Sequence, residues 1–265
     1  MEIEPKKFID AKYFSLPFKE LVEKYPDLNA FLISTNPHKF NLGNSFVLSR
    51  INTVLFKEVL DLEIRVPEDY LIPSTGVRYA FCDYVVSQLK SNKTILEIGT
   101  GASASMSLIL AKKYNKNVIA TEINPLALDF AKINAEMNDL DEQIKFKLSN
   151  GEIISELIPQ GKYSALICNP PVYEDDITRL AKKKGWRGVK DELMGGGKDG
   201  LEFTKQLIHE SFETEGVEID FIALLMFNKT QINAILSQFP KDKRFRLVQI
   251  NAGTRKRFIL LIDRL

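Results

Sequence analysis

The sequence has two cysteines, two histidines and one tryptophan in 265 residues, and its 36 Lys and Arg are almost cancelled by 35 Asp and Glu. Each scarcity excludes something. Cys82 and Cys168 fall inside stretches that read as a helix and a strand, which fits buried reduced thiols rather than a disulfide framework. No Cys/His spacing matches a metal site, so none is expected. A net charge of +1 produces no global field that would advertise nucleic acid, and any basic footprint must be local. No apolar run reaches membrane-spanning length, and Met1-Glu-Ile-Glu-Pro5 lacks the core of a signal peptide; a cytoplasmic protein is expected. A 45% apolar share and 27% charged residues describe an ordinary globular chain, long enough for one large domain with an appendage.

Residues 1–70 read as that appendage, a small helical cap. Phe18–Tyr25 has helical apolar spacing closed by Pro26, and Val54–Leu60 is a second amphipathic helix with a cap expected near Asn52 or Thr53. Asn36-Pro37 and Asn41–Asn44 mark turns between them. The loop Val66–Pro73 then leads into a helix over Val77–Leu89. Arg78 lies in its first turn, where the helix dipole mildly disfavours a cation, so an anionic partner or a solvated surface role are both open.

From Thr94 onward, residues 71–265 being one domain, strands and helices alternate, the signature of a parallel sheet with crossover helices on both faces. The spacing predicts strands at Thr94–Ile98, Asn117–Thr121, Ile144–Leu148, Ala165–Cys168 and Ile219–Phe227. It predicts helices at Ala104–Tyr114, Pro125–Asn138, Glu202–Phe212 and Ile232–Phe239. Arg246–Ile250 and Arg257–Ile262 form a hairpin around Asn251–Thr254. This is a Rossmann-like α/β fold.

Three strand ends carry chemistry. Gly99-Thr100-Gly101 follows the first strand and precedes a helix, so the backbone can approach a ligand closely. A dinucleotide fingerprint would need a third glycine where Ser103-Ala104-Ser105 stands, and the looser loop suits S-adenosylmethionine, which has no pyrophosphate to cradle. Glu122, about twenty residues on at the tip of the second strand, is placed to accept from two ribose hydroxyls. The apolar run Ala165–Cys168 stops at Asn169-Pro170-Pro171: neither proline can donate to the ladder, so the chain leaves the sheet at its carboxyl edge. Asn169, held extended by the proline after it, offers a neutral amide suited to a planar amino group such as adenine's exocyclic amine or a carboxamide.

With those residues in place, the chain resembles class I methyltransferases with an Asn-Pro-Pro motif. More narrowly, it resembles the family of the bacterial large-subunit rRNA adenine-N(6) methyltransferase F and metazoan methyltransferase-like protein sixteen. Nearly the whole chain takes part, through Lys24–Asp27, Val66–Pro73 with Arg78, Ile98–Ser103, Ala120–Glu122, Cys168–Pro171, Gly196-Gly197 with Leu201-Glu202-Phe203, and Gly253–Arg255. The resemblance implies a seven-stranded sheet, S-adenosylmethionine as donor, and methylation of an adenine in structured RNA. It implies that Arg78 meets the methionine carboxylate, within a donor set of Arg78, Ile98, Gly99, Thr100, Gly101, Glu122, Ile123, Asn150 and Asn169. Asn169, Pro170, Pro171 and Tyr173 form the expected catalytic loop; Val172 stands where the family usually has an aromatic residue.

Between Tyr173 and Gly197, Lys182, Lys183, Lys184, Trp186 and Arg187 interleave basic groups with an aromatic ring. That pattern suits either a solvated face or a phosphate clamp with a stacking platform, and Arg255 and Arg257 add positive charge that would meet an RNA backbone. Two other readings stay open: a protein methyltransferase acting on a release-factor glutamine, and an inactive RNA-binding module that keeps the fold.

Overall fold

The structure is a computed structural model that describes residues 4–71, 73–173, 190–239 and 244–264. At its centre stands a mixed sheet of eight strands, in the order β1 (Lys7–Asp10), β11 (Arg244–Ala252), β12 (Arg255–Asp263), β10 (Phe221–Met226), β8 (Ala165–Cys168), β4 (Ile95–Ile98), β5 (Val118–Glu122) and β6 (Ile144–Leu148), while β7 (Gly161–Tyr163) and β9 (Val217–Ile219) form a separate parallel pair. The parallel half is β4 (Ile95–Ile98), β5 (Val118–Glu122), β6 (Ile144–Leu148), β8 (Ala165–Cys168) and β10 (Phe221–Met226). Strand β12 (Arg255–Asp263) runs antiparallel to both β10 and β11 (Arg244–Ala252). Every residue of β4, β8 and β10 is buried, as befits parallel strands covered on both faces. Alternate residues divide between two cores. In β10, Ala223 and Leu225 join the face covered by α3 (Thr75–Gln88) and α4 (Ser105–Tyr114). Ile222, Leu224 and Met226 face α7 (Glu202–Glu213) and α8 (Lys229–Leu236).

Strand order reverses between β4 and β8. One neighbour leads on to β5 and β6 and the other to β10, so the carboxyl ends of β4 and β8 diverge and open a crevice. Gly99 and Asn169 are the first residues beyond those two ends.

The sheet has one strand more than the expected seven. The eighth, β1 (Lys7–Asp10), comes from the N-terminal segment and pairs parallel with β11. Residues 1–70 are therefore not a purely helical cap. Besides α1 (Phe18–Lys24) and α2 (Ser45–Leu60) they contribute β1 and the hairpin β2 (Leu32–Thr35) and β3 (His38–Phe40). Helix α2 begins well before the expected cap, because the Asn44 side chain accepts from the N–H groups of Phe46 and Val47 at 3.0 and 3.2 Å. Its first turns pack in a small core with Leu21, Leu28 and Phe40, while Phe56 and Leu60 enter the main core. Asn52, buried mid-helix, caps a different helix: its Oδ1 accepts the Thr75 N–H at 3.2 Å and so fixes the start of α3, which carries Arg78. Among the described residues no helix is long and apolar enough to cross a membrane.

The connection between the two pieces is clasped by α5 (Pro125–Glu136) and the turn after it. Asn134 Oδ1 accepts the Arg65 N–H at 2.7 Å, and its Nδ2 donates to the carbonyls of Arg65 and Ala102 at 2.9 and 3.0 Å. Asn138 repeats the pattern four residues on, accepting from the Glu63 N–H at 2.8 Å and donating to the Glu63 carbonyl at 2.6 Å. Asn134 is fully buried, so its removal strands backbone groups of Arg65 and Ala102. Asn134→Ala is expected to cost about 2–4 kcal/mol of stability in urea unfolding, since each stranded buried group costs roughly 1–3 kcal/mol. A loss below about 0.5 kcal/mol, the range of ordinary surface changes, would show that the clasp bears no load.

Candidate active site

The glycine loop turns sharply out of β4. Gly99 and Gly101 adopt φ of +71° and +65°, the left-handed region where a side chain is strained. The Thr100 N–H reaches back to the Thr121 carbonyl at 2.9 Å, locking the loop to β5. Glu122, at the end of β5, is 5% exposed and held by three backbone donors. Its Oε2 accepts from Gly101 N–H at 2.8 Å, and its Oε1 from Ile123 and Asn124 N–H at 2.9 and 3.0 Å. Those contacts fix the orientation of the carboxylate, which lines the crevice.

The opposite wall is the loop after β8. Asn169 Oδ1 lies 3.4 Å from Arg78 Nη1, so two residues 91 positions apart in sequence meet here. Arg78 is half-buried, and burial of its guanidinium, partly offset by Glu97, pulls its pKa below the usual value. The loop itself is anchored downstream. The N–H groups of Val172 and Tyr173 both donate to the Leu193 carbonyl, at 3.2 and 2.9 Å, in the short helix α6 (Lys190–Leu193). Gly195 N–H donates to the Tyr173 carbonyl at 2.9 Å, and Gln231 Nε2 donates to the Val172 carbonyl at 3.0 Å. Val172 is 6% exposed and packed in the core, which removes it as a stacking surface. Tyr173 instead pairs with Phe227, ring centroids 6.4 Å apart, and the Arg257 guanidinium lies over Phe227 at 4.3 Å.

Between the walls lies a cavity of about 430 Å³, within the ~300–1,000 Å³ usual for small-ligand sites. Of the expected site residues, Arg78, Ile98, Gly99, Thr100, Gly101, Glu122, Ile123, Asn169 and Pro171 line it together. Asn150 does not: it is exposed, and its neighbours Ser149 and Gly151–Ile153 line the wall in its place. Pro170 is buried behind the lining, and Arg255 is exposed at the β11–β12 hairpin. Lys182, Lys183, Lys184, Trp186 and Arg187 lie outside the described residues. Cys82 and Cys168 are free and buried, and burial pushes both thiols well above their ordinary pKa, so neither supplies a nucleophile. Among the described residues no group of His, Cys, Asp and Glu could hold a metal ion.

Glu97 lies within the strand expected over Thr94–Ile98, and its local sequence assigns it no role. It is 1% exposed, in a strand whose other residues are all apolar, and a carboxylate there is itself the signal that could have marked it. Glu97 Oε2 accepts from Thr100 Oγ1 and Ser107 N–H, both at 3.0 Å, and from the Ser107 hydroxyl. Burial nevertheless outweighs these bonds and raises its pKa to about 7. A raised carboxyl pKa stabilises the fold fully below the unfolded-state value near 4.5, and that contribution is lost as pH rises through about 7. At ~1.4 kcal/mol per unit, the protein should lose about 2–3 kcal/mol between pH 5 and pH 8 from this group. Urea unfolding at the two pH values should give Glu97→Gln a flatter dependence by that amount; parallel profiles would contradict the assignment.

Phe203, Glu152, Ile153 and Glu192 also line the cavity without having been expected to. Only Phe203 had a sequence signal, in Leu201-Glu202-Phe203.

A family profile described as RNA methyltransferase matches residues 5–240. A putative methyltransferase of Methanocaldococcus jannaschii is 32% identical over 84% of this chain and 88% of its own length. The U6 small nuclear RNA (adenine-(43)-N(6))-methyltransferase of Dictyostelium discoideum is 24% identical over 92% of this chain but 52% of its own length. The chain thus spans about half of that relative, whereas it spans 95% of a ribosomal RNA large subunit methyltransferase F from Christiangramia forsetii. Among solved structures, the hMettl16 catalytic domain in complex with MAT2A 3'UTR hairpin 1 shares the fold with a TM-score of 0.81. It is 22% identical, covering 94% of this chain and 91% of that one.

Proposed function

The chain belongs to the RNA methyltransferase family, and from that premise we propose that it transfers a methyl group from S-adenosylmethionine to the exocyclic amine of an adenine in structured RNA. The observation that carries the reading is the meeting of Arg78, Glu122 and Asn169 in one cavity at the switch point of the sheet. It is supported by relatives named as adenine-N(6) methyltransferases of RNA.

The cavity suits the donor. Arg78 is the one cation lining it among the described residues and would hold the methionine carboxylate. Gly99 and Gly101 leave room for close approach, Glu122 would take the ribose hydroxyls, and Ile123 is exposed at the rim beside them, suited to the purine. When bound, the donor supplies an electrophilic methyl group.

The chain's own part in the reaction is to make a poor nucleophile attack. Adenine's amine lone pair is delocalised into the ring. Asn169 Oδ1 and the Pro170 carbonyl accept its two hydrogens, and both acceptors bind more strongly as the nitrogen becomes positive. Arg78 steadies the same amide oxygen, and the Leu193 carbonyl steadies the loop behind it. No strong base is required, which accounts for a neutral amide at this position. The target base must be unpaired or flipped to reach the loop. Residues 1–70 act as an RNA-binding extension, and Arg255 and Arg257 meet the RNA backbone.

Incubation with methyl-labelled donor and either total RNA or a release-factor peptide tests this reading. Label should enter the RNA; label in the peptide alone would overturn it.

A further inference from the structure

The loop that would receive the base lacks a stacking surface of its own. Val172 is buried in the core and presents none, yet an extruded base is held by stacking as well as by hydrogen bonds. Sheet order points to a replacement. Strands β10, β8 and β4 are neighbours in that order, and the first residues beyond their carboxyl ends are Phe227, Asn169 and Gly99. The donor cavity lies on the Gly99 side, lined by Gly99, Gly101 and Glu122. Methyl transfer needs the attacking nitrogen in line behind the methyl group. A base on Asn169 therefore approaches from the β10 side, where Phe227 stands.

Phe227 carries a second group. Register pairs Leu224 with Cys168 and Met226 with Phe258, and one step further sets Phe227 opposite Arg257. The Arg257 guanidinium lies over the Phe227 ring, 4.3 Å from its centroid, and its Nη1 donates to the Lys256 carbonyl at 2.9 Å. Both residues are half-buried, and neither lines the donor cavity. Burial lowers the pKa of Arg78 and the Arg257 charge lowers it further, so the two cations feel each other; Arg78 is itself 3.4 Å from Asn169. Arg255, by contrast, is exposed at the hairpin. A guanidinium seated on a ring is held as a flat plate, the form in which arginine stacks on bases.

Resting on the adenine reading above, we propose that Arg257 is a specificity residue that stacks on the target adenine, and that Phe227 is the positioning residue that holds its plane. The layers run adenine, guanidinium, ring. They supply the flat contact that Val172 cannot, and leave the guanidinium edge for the RNA backbone.

Fluorescence anisotropy with two labelled single strands of about nine nucleotides tests this: oligoadenylate, and an abasic strand with the same sugar-phosphate chain. The unmodified full chain should bind oligoadenylate about fivefold or more tighter, the effect of at least one stacked base. Arg257→Lys keeps the charge and loses the plate. It should weaken oligoadenylate about fivefold and the abasic strand less than about twofold, because phosphate contacts need only the charge. Phe227→Leu should do the same, and Phe227→Tyr, which keeps a ring, should bind as the unmodified protein does. Calorimetric affinity for S-adenosylmethionine should be unchanged in all three. Equal binding of the two strands by the unmodified protein, or Arg257→Lys binding oligoadenylate normally, would mean that Arg257 meets phosphate alone. Equal loss of both strands in Arg257→Lys and Phe227→Leu would mean a purely structural role. Each of these overturns the proposal. If the expected pattern appears while no RNA takes up methyl label, the methylation reading fails and the stacking platform stands.

Discussion

Asn169→Ala should lower methyl transfer on the order of 100-fold or more while leaving S-adenosylmethionine affinity within about threefold. The magnitude follows from what the amide does. It is a preorganised acceptor aimed at charge that develops only as the amine attacks, and loss of one such group typically costs on the order of 100-fold or more in rate. The selectivity follows from where the donor's other contacts lie. Arg78 is anchored on α3, Glu122 is fixed by three backbone donors, and the glycine loop is tied to β5 through Thr100. Among the described residues, the 3.4 Å contact from Arg78 links the donor side to the Asn169 side chain, and it is long enough to be weak. Single-turnover rates with saturating donor, set beside calorimetric donor affinity, separate the two effects. Near-normal turnover would remove Asn169 from the reaction.

A second variant reaches the same loop through its backbone. Gly195→Ala should abolish most activity and destabilise the protein by roughly 3 kcal/mol or more, at the upper end of overpacking costs. A Cβ on Gly195 would stand 1.8 Å from the Gly200 carbonyl oxygen and 2.6 Å from that of Pro171. Both are backbone atoms, so no side chain can swing aside. Either the turn from Gly195 to Gly200 or the Asn-Pro-Pro loop must shift, and a 1 Å misplacement of catalytic groups can cost ~100-fold in rate. Gly216→Ala is the control. Its φ is +79°, but its Cβ would meet the far end of the Gln160 side chain, remote from Asn169. It should cost about 1–2 kcal/mol of strain and leave turnover unchanged. Thermal unfolding and turnover measured side by side would refute the account if Gly195→Ala behaved like this control.

The residues that were legible in the sequence lie where a local signal coincides with a strand end. The run Ala165–Cys168 stops at two prolines, Ile95–Ile98 stops at two glycines, and Glu122 ends β5; each pattern declares its own position. What escaped notice depends on partners distant in sequence. The local sequence marks Asn52 or Thr53 as a cap of its own helix, and nothing near Asn52 shows that it caps α3 instead. The Asn134 and Asn138 clasp joins positions 69 and 75 residues apart. Strand β1 is four residues long with its first two exposed, too little pattern to distinguish an edge strand from a tail. Glu192 gives no local sign that it lines the cavity, because the Leu71 N–H that its carboxylate accepts lies 121 positions away in sequence. Among the described residues Tyr173 pairs with Phe227, a partner that residues 169–173 alone do not reveal.

The central claim is that Asn169 presents an RNA adenine's exocyclic amine to the donor. Its most direct test is nucleoside mass spectrometry of total RNA incubated with the protein and S-adenosylmethionine bearing a deuterated methyl group, with Asn169→Ala in parallel. The account predicts labelled N(6)-methyladenosine with the unmodified protein and loss of nearly all of it in the variant. Label on any other nucleoside or ring position, or equal labelling by the variant, would contradict it.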